Sequence, residues 1–269
     1  MKLPIYQIDA FTSKTFGGNP AAVCPLENWL ADEVLQSIAM ENALPETAFI
    51  KVSNNSFQKN TYEIRWFTPD IEMDLCGHAT LASAYVVFNY LQTELNSVTF
   101  SSKSGDLIVT RNDDLLTLDF PSRKPEPVQM SEVPKAIINA FDTAPIEVLK
   151  SRDYVLVFES EDIIRNMQVD QKVLDQINLD PGGVCITARG DDVDFVSRFF
   201  TPQAHIFEDP VTGSAHCSLI PFWSERLNKT SLQALQLSSR VGTLTCQDKG
   251  KRVLISGNAV TYLKGEILI

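Results

Sequence analysis

The sequence predicts an α+β protein of two pseudo-symmetric domains, each a β-sheet or barrel wrapped around a central buried helix. Three observations lead there. Arg65-Trp66-Phe67-Thr68-Pro69 recurs as Arg198-Phe199-Phe200-Thr201-Pro202, 133 residues further on. The features around each copy follow in the same order, as a duplicated unit would leave them. Residues 78–91 are apolar on nearly all sides, so a helix there must be enclosed by protein. Much of the remaining chain divides into short runs rich in Val, Ile, Phe and Thr, the composition of strands.

Taken along the chain, residues 32–40 carry a helical pattern whose counterpart is 170–177. A short apolar strand follows each, at 47–52 and 183–187. A strand at 62–67 leads to the acidic pair Glu72 and Asp74, the small-residue turn Gly77-His78-Ala79 and the apolar helix. Strands at 106–111 and 115–120 are joined by the Asn112-Asp113-Asp114 turn. In the second half, strands are expected at 154–158 and 193–201, with turn chemistry at Pro181-Gly182-Gly183. Glu208 and Asp209 then precede Gly213-Ser214-Ala215 and an apolar stretch at 216–223. The linker-like run 121–127 divides the chain into halves 1–120 and 128–269, the final strand being free to return to the first half.

The 269 residues are 44% hydrophobic and 21% charged, an ordinary globular mix that argues against disorder or collagen. Twenty-three basic against thirty-four acidic residues give a formal net charge of -11. Such a surface repels nucleic-acid phosphates and anionic membranes, so neither is an expected partner. The five cysteines, Cys24, Cys76, Cys185, Cys217 and Cys246, are scattered and form no CxxC pair. That pattern points to a reducing, cytoplasmic compartment and away from a disulfide framework. The first nine residues meet charge early, and no signal peptide is expected. The uncharged stretch 75–93 holds Gly77, His78, Thr80, Ser83, Asn89 and Gln92, too polar for a lipid-facing helix.

Candidate functional residues gather at the two turns. Gly77 and Gly213 let backbone approach a ligand, and the helices that follow begin with unpaired N–H groups. Those donors and the positive dipole end suit a small carboxylate in a cleft between the halves, or they merely start two helices. His78 can donate a hydrogen bond or a proton, or sit satisfied in the core. Asp209, Glu208 and Ser214 can hold a ligand or cap a helix. Cys76, His78, His216 and Cys217 make a conceivable four-ligand set, but their spacing matches no ordinary zinc pattern and no metal is expected. A two-thiol racemase fails on the duplication: Thr212 stands opposite Cys76, and Cys217 falls four residues past Gly213. Glu46, where the first helix hands over to a strand, reads locally as an ordinary solvated acid.

Several of these segments nevertheless form a recognisable series. They are Gln7-Ile8-Asp9-Ala10-Phe11, Phe16-Gly17-Gly18-Asn19-Pro20-Ala21-Ala22-Val23 and Pro45-Glu46-Thr47-Ala48-Phe49. Arg65-Trp66-Phe67-Thr68-Pro69, Asp74-Leu75-Cys76-Gly77-His78-Ala79-Thr80 and Glu208-Asp209-Pro210-Val211-Thr212-Gly213-Ser214-Ala215-His216 complete it. In this order they resemble the PhzF-like family, the phenazine-biosynthesis isomerases and their relatives. The resemblance implies the diaminopimelate epimerase-like fold and reverses the reading of Glu46, which matches the family's general acid/base. His78, Asp209 and Ser214 match positions that hold or polarise substrate, with backbone donors near Gly77 and Gly213, and Asn19 matches a position near the cleft.

The implied activity is a cofactor-independent isomerase that moves a proton between carbons of a small carboxylate. A homodimer is implied as well. Such chemistry makes physical sense, because a carboxylic acid in a closed, low-dielectric cleft can take a proton and return it elsewhere. His205 departs from the family pattern where glycine is common; it could reshape the mouth of a cleft or face solvent. Two other readings stay open: a thiol-dependent epimerase using Cys76, and a small-molecule-binding protein without catalysis.

Overall fold

The computed structural model describes residues 1–53, 60–179 and 182–269. Eighteen strands and six α-helices among them make a mixed α+β protein in which strands predominate. Pro181, part of the turn expected at 181–183, lies outside the described residues. No helix among the described residues is long and apolar enough to cross a membrane. The chain divides into two compact units: Met1–Phe120 with Ile255–Ile269, and Pro121–Leu254.

In the first unit, β1 (Lys2–Ala10) is flanked by antiparallel β18 (Ala259–Leu268) and β2 (Asn19–Leu26). Strand β2 runs parallel to β3 (Glu46–Val52), which pairs antiparallel with β4 (Thr61–Phe67). Beyond it, β4 runs parallel to β6 (Ser97–Ser102), and β7 (Gly105–Asn112) and β8 (Leu115–Pro121) follow as antiparallel neighbours. The two-residue β5 (Glu72–Met73) pairs with the end of β4.

Helix α1 (Asp32–Asn42) presents Leu35, Ile38 and Ala39 to a core with Leu3, Ala22, Cys24, Phe49 and Phe67, one stripe at helical spacing. It ends at Ala43, whose φ of 51° closes the last turn through an N–H bond to Ala39 O. Helix α2 (Gly77–Val86) packs against β1, β2, β3 and β18 and is buried along nearly its whole length. Alanines at 79, 82 and 84 leave room for strands on several sides. Ser83 and Thr80 turn their hydroxyls back to Ala79 O and Cys76 O, so neither hydroxyl is stranded in the core. The apolar stretch runs on through residues 87–91 as a wider π-helical turn, closed by Gln92 N–H donating to Val87 O.

In the second unit, β9 (Glu126–Pro127) and β10 (Glu147–Lys150) pair antiparallel, as do β10 and β11 (Tyr154–Val157). Parallel to β11 lies β12 (Val184–Arg189), then antiparallel β13 (Phe195–Phe200), parallel β15 (Ser231–Gln236) and antiparallel β16 (Gly242–Asp248). Short β14 (Glu208–Asp209) pairs with the end of β13. Three short helices, α3 (Lys135–Asn139), α4 (Glu161–Asn166) and α5 (Gln171–Leu174), cover one core through Ile137, Ile164 and Leu174. Ser160 and Asp170 cap α4 and α5 by accepting from Ile163 N and Val173 N.

Helix α6 (Gly213–Leu227) packs against β15 and β16 and carries Pro221 in its interior. Proline removes the N–H that would pair with Cys217 O. Arg123 N–H donates to that carbonyl instead, at 2.9 Å, so the helix continues past the proline. Strand β17 (Arg252–Gly257) begins in the second unit, ends in the first and pairs with β8.

The repeated Arg-x-Phe-Thr-Pro segments have a common physical use. Arg65 makes two bonds, of 2.7 and 2.9 Å, to the Glu72 carboxylate and holds its pKa down to about 2. Arg198 grips Glu208 likewise, at 2.7 and 3.0 Å. Each pair fixes the short strand that precedes a glycine turn.

Candidate active site

Three elements of the first unit converge on His78. Asn19, fully buried, opens β2 directly after the turn at Gly18. Glu46 opens β3, and the Asn42 amide donates to Thr47 Oγ1 at 3.0 Å, tying the end of α1 to that strand. In the β2–β3 register Glu46 stands opposite Ala21. His78 is the second residue of α2, and Cys76 immediately precedes the helix. His78 Nε2 lies 3.0 Å from Glu46 Oε2, Nδ1 lies 3.0 Å from Asn19 Nδ2, and Nδ1 lies 3.6 Å from Cys76 Sγ.

The Glu46 side chain is 14% exposed against 3% for His78, so the cluster reaches solvent through the carboxylate. Although close, Glu46 Oε2 and His78 Nε2 have no aligned hydrogen-bond partner among the described residues. Two buried polar atoms left this way are poised to pair with something else, because burial without partners is costly.

Burial alone would lower the His78 pKa, but the neighbouring Cys76 sulfur and Glu46 carboxylate outweigh it and raise it well above the usual value. Burial pushes the Cys76 thiol up to about 11, so at neutral pH it keeps its proton. With its amide donating, Asn19 holds the neutral ring in the tautomer that carries its proton on Nε2, toward Glu46. Turning that amide over would offer Oδ1 to a protonated Nδ1. The pocket therefore suits either charge state of the ring.

The second unit holds the other candidates. Asp209 ends β14 half-buried, and its Oδ2 accepts from Thr212 Oγ1 at 2.5 Å. Gly213 and half-buried Ser214 begin α6. Gln236, which the sequence reading missed, braces this turn. Its Oε1 accepts from Thr212 N at 2.8 Å, and its Nε2 donates to Asp209 O at 2.8 Å and Thr212 Oγ1 at 3.1 Å. Asp209 thus acts on the turn through a bond to Thr212. His205 is exposed.

Two members of the four-ligand set weighed from sequence are engaged within their own helix. His216 Nδ1 faces Thr212 O at 2.8 Å and Cys217 Sγ faces Gly213 O at 3.7 Å, both inside α6's own first turns. Glu46, Cys76 and His78 instead bring one donor atom each within 4.8 Å of one another.

Burial lowers the His216 pKa to about 4 from an ordinary 6.5. The unfolded chain therefore binds a proton between these values that the folded one refuses. The stability this provides is complete above 6.5 and is lost as pH falls toward 4, up to about 3 kcal/mol. His216→Phe is expected to flatten that part of the curve, measured as urea midpoints at pH 7 and 4.5. An equal loss of stability in variant and wild type would contradict this assignment.

With this geometry in place, the comparisons with known proteins are specific. The phenazine biosynthesis-like protein family model matches residues 8–265. The chain belongs to this phenazine biosynthesis-like (PhzF) family. It is 47% identical over 267 residues to an uncharacterized isomerase of Pseudomonas aeruginosa, covering 99% of each chain. A PhzF-family crystal structure from Enterococcus faecalis superposes with a TM-score of 0.92 at 45% identity, covering 100% of both chains. A hydroxyproline epimerase of Agrobacterium vitis shares the fold at a TM-score of 0.62 and 9% identity, over 99% of this chain and 92% of that one. The Gly18-Asn19, Pro45-Glu46 and Gly77-His78 segments supply the residues that meet at His78.

Proposed function

We propose that this protein is an isomerase of the PhzF family that moves a proton between carbons of a small carboxylate substrate without a cofactor. Glu46 is the general acid/base. The observation that carries this reading is the Glu46 carboxylate held 3.0 Å from His78 Nε2, with its oxygen lacking an aligned partner among the described residues. The isomerase name of the Pseudomonas relative supports the reaction class.

In this reading Glu46 takes a proton from a carbon next to the substrate's carboxyl or carbonyl group. His78, steadied by Asn19, donates to the oxygen on which charge gathers. Glu46 then returns the proton to a different carbon. Ser214 and the amides beginning at Gly77 and Gly213 are the substrate-holding groups of their respective units in this reading, and Asp209 with Gln236 keeps the second turn in shape. The pairing of Arg65 with Glu72 and of Arg198 with Glu208 supports taking the two units as duplicated halves. The Cys76 thiol, kept protonated by burial up to about 11, is a poor base for the thiol-dependent alternative.

The experiment is to incubate the protein in heavy water with a pool of small carboxylate metabolites and read products by mass spectrometry. One compound is expected to gain deuterium or a new isomer peak with wild type and to stay unchanged with Glu46→Gln. Equal conversion by both would overturn Glu46 as the base.

A further inference from the structure

We propose that Asp9 is a positioning residue for the candidate site: its buried carboxylate fixes the turn that aims Asn19 at the His78 ring. Asp9 lies next to the end of β1 and is 1% exposed. Its Oδ2 accepts from the Phe16 N–H at 2.8 Å. Just past Phe16, Gly17 and Gly18, Asn19 opens β2 opposite Ala10, and its Nδ2 lies 3.0 Å from His78 Nδ1. Asp9 therefore acts on the ring through residues 16–19.

The backbone of this turn needs holding. Phe16 has a φ of +70° and Gly18 one of +56°, in the left-handed region that a bulky L-residue rarely adopts. The Phe16 ring is 70% exposed and meets the half-open Tyr262 ring edge-on, so burial of the side chain does little to impose that conformation. A strained residue persists only where its surroundings hold it. A backbone N–H bonded to a carboxylate is among the stronger hydrogen bonds, and here it grips the strained residue itself. The carboxylate gains as well, since burial without donors would be costly.

Asn19 stands where the turn passes into the strand, with Ala10 as its register partner and Asp9 opposite Pro20. A turn that relaxes displaces Asn19 first. His78 Nδ1 then loses that amide, and the ring is less firmly set toward Glu46. The claim about the ring stands on this geometry, while its effect on turnover rests on the reading of Glu46 and His78 given above.

Nitrogen-15 NMR of histidine-labelled protein tests both parts, because the chain has only His78, His205 and His216 to distinguish. His205→Ala and His216→Phe assign the His78 ring signals by elimination. Asp9→Asn keeps the side chain's size and removes its charge. It is expected to move the His78 signals to the values found in Asn19→Ala, with no further movement in the double variant. Adding Phe16→Gly, which takes the left-handed conformation without being held, should return the Asp9→Asn signals most of the way to wild type. A carboxylate that merely filled the core would gain nothing from that second change. His78 signals unmoved in Asp9→Asn, or moved without rescue by Phe16→Gly, overturn the proposal. If Asp9→Asn alone does not fold, the paired variant decides: a folded protein with near wild-type His78 signals supports the role, and a second failure to fold overturns it. In the heavy-water assay, Asp9→Asn and Asn19→Ala should each slow exchange about a hundredfold, and their effects should not multiply. Displaced His78 signals with undiminished exchange would retain the positioning role and overturn His78 as the donor to substrate.

Discussion

Glu46→Gln is expected to lower turnover by roughly a thousandfold, within the range that general acid–base catalysis contributes, while substrate affinity changes little. The substitution keeps the side chain's size and removes its ability to take a proton. Folding should survive, because the side chain is partly exposed and its Oε2 makes no aligned hydrogen bond among the described residues. A stability change under about 1 kcal/mol is expected. Glu46→Asp provides the sharper comparison: it retains a carboxylate but withdraws it from His78 Nε2 by roughly one carbon–carbon bond. Partial activity for Asp and near-complete loss for Gln would separate proton transfer from simple contact. Loss of binding without loss of kcat in the Gln variant would instead assign Glu46 to substrate holding.

Gly18→Ala should produce the largest loss of stability among single substitutions near the site. Gly18 has a φ of +56°, and a Cβ there would lie 2.0 Å from Ala10 O and 2.9 Å from Thr12 Cγ2. The left-handed conformation costs an L-residue about 1–2 kcal/mol. Relieving an overlap with main chain adds about 1–3 kcal/mol. A total near 3 kcal/mol would lower Tm by roughly 6–12 °C in a chain of this size. Relief must move Ala10 or its register partner Asn19, the residue that touches His78, so activity should fall as well. Gly105→Ala is the control, with φ of +94° but nothing within 4 Å of its Cβ. Equal losses at both positions would show that the overlap is relieved at no cost.

Different parts of this architecture were legible to different degrees. The enclosed helix was visible because residues 77–86 lack a polar face, and the structure surrounds them with strands. Its continuation as a π-helical turn carries no composition signal. Helix α6 runs to Leu227, beyond the apolar stretch, because its last turn exposes Glu225 and Arg226. The pairing of β1 with β18 joins the two ends of the chain, and most of β18 is exposed, so no buried alternation announced it. Glu46 was invisible locally for a related reason: its partner His78 is 32 residues away, and only the family resemblance singled it out. Gln236 gave no signal because its reach to Thr212 depends on β15 lying beside β13. The repeated arginines were noticed as letters, and the structure supplies their cause in two-pronged carboxylate pairs.

The five cysteines carry a practical consequence. All are free and buried, with Cys24 and Cys76 in the first unit and Cys185, Cys217 and Cys246 in the second. Burial also drives their pKa values up, to about 12 for Cys24 and Cys217, so each sulfur is both shielded and chemically sluggish while its surroundings stay closed. A thiol-seeking dye can then react only during a transient opening, at a pace set by how often that neighbourhood breathes. Peptide-resolved labelling would turn the native chain into its own pair of stopwatches, one for each unit, with no engineered reporter.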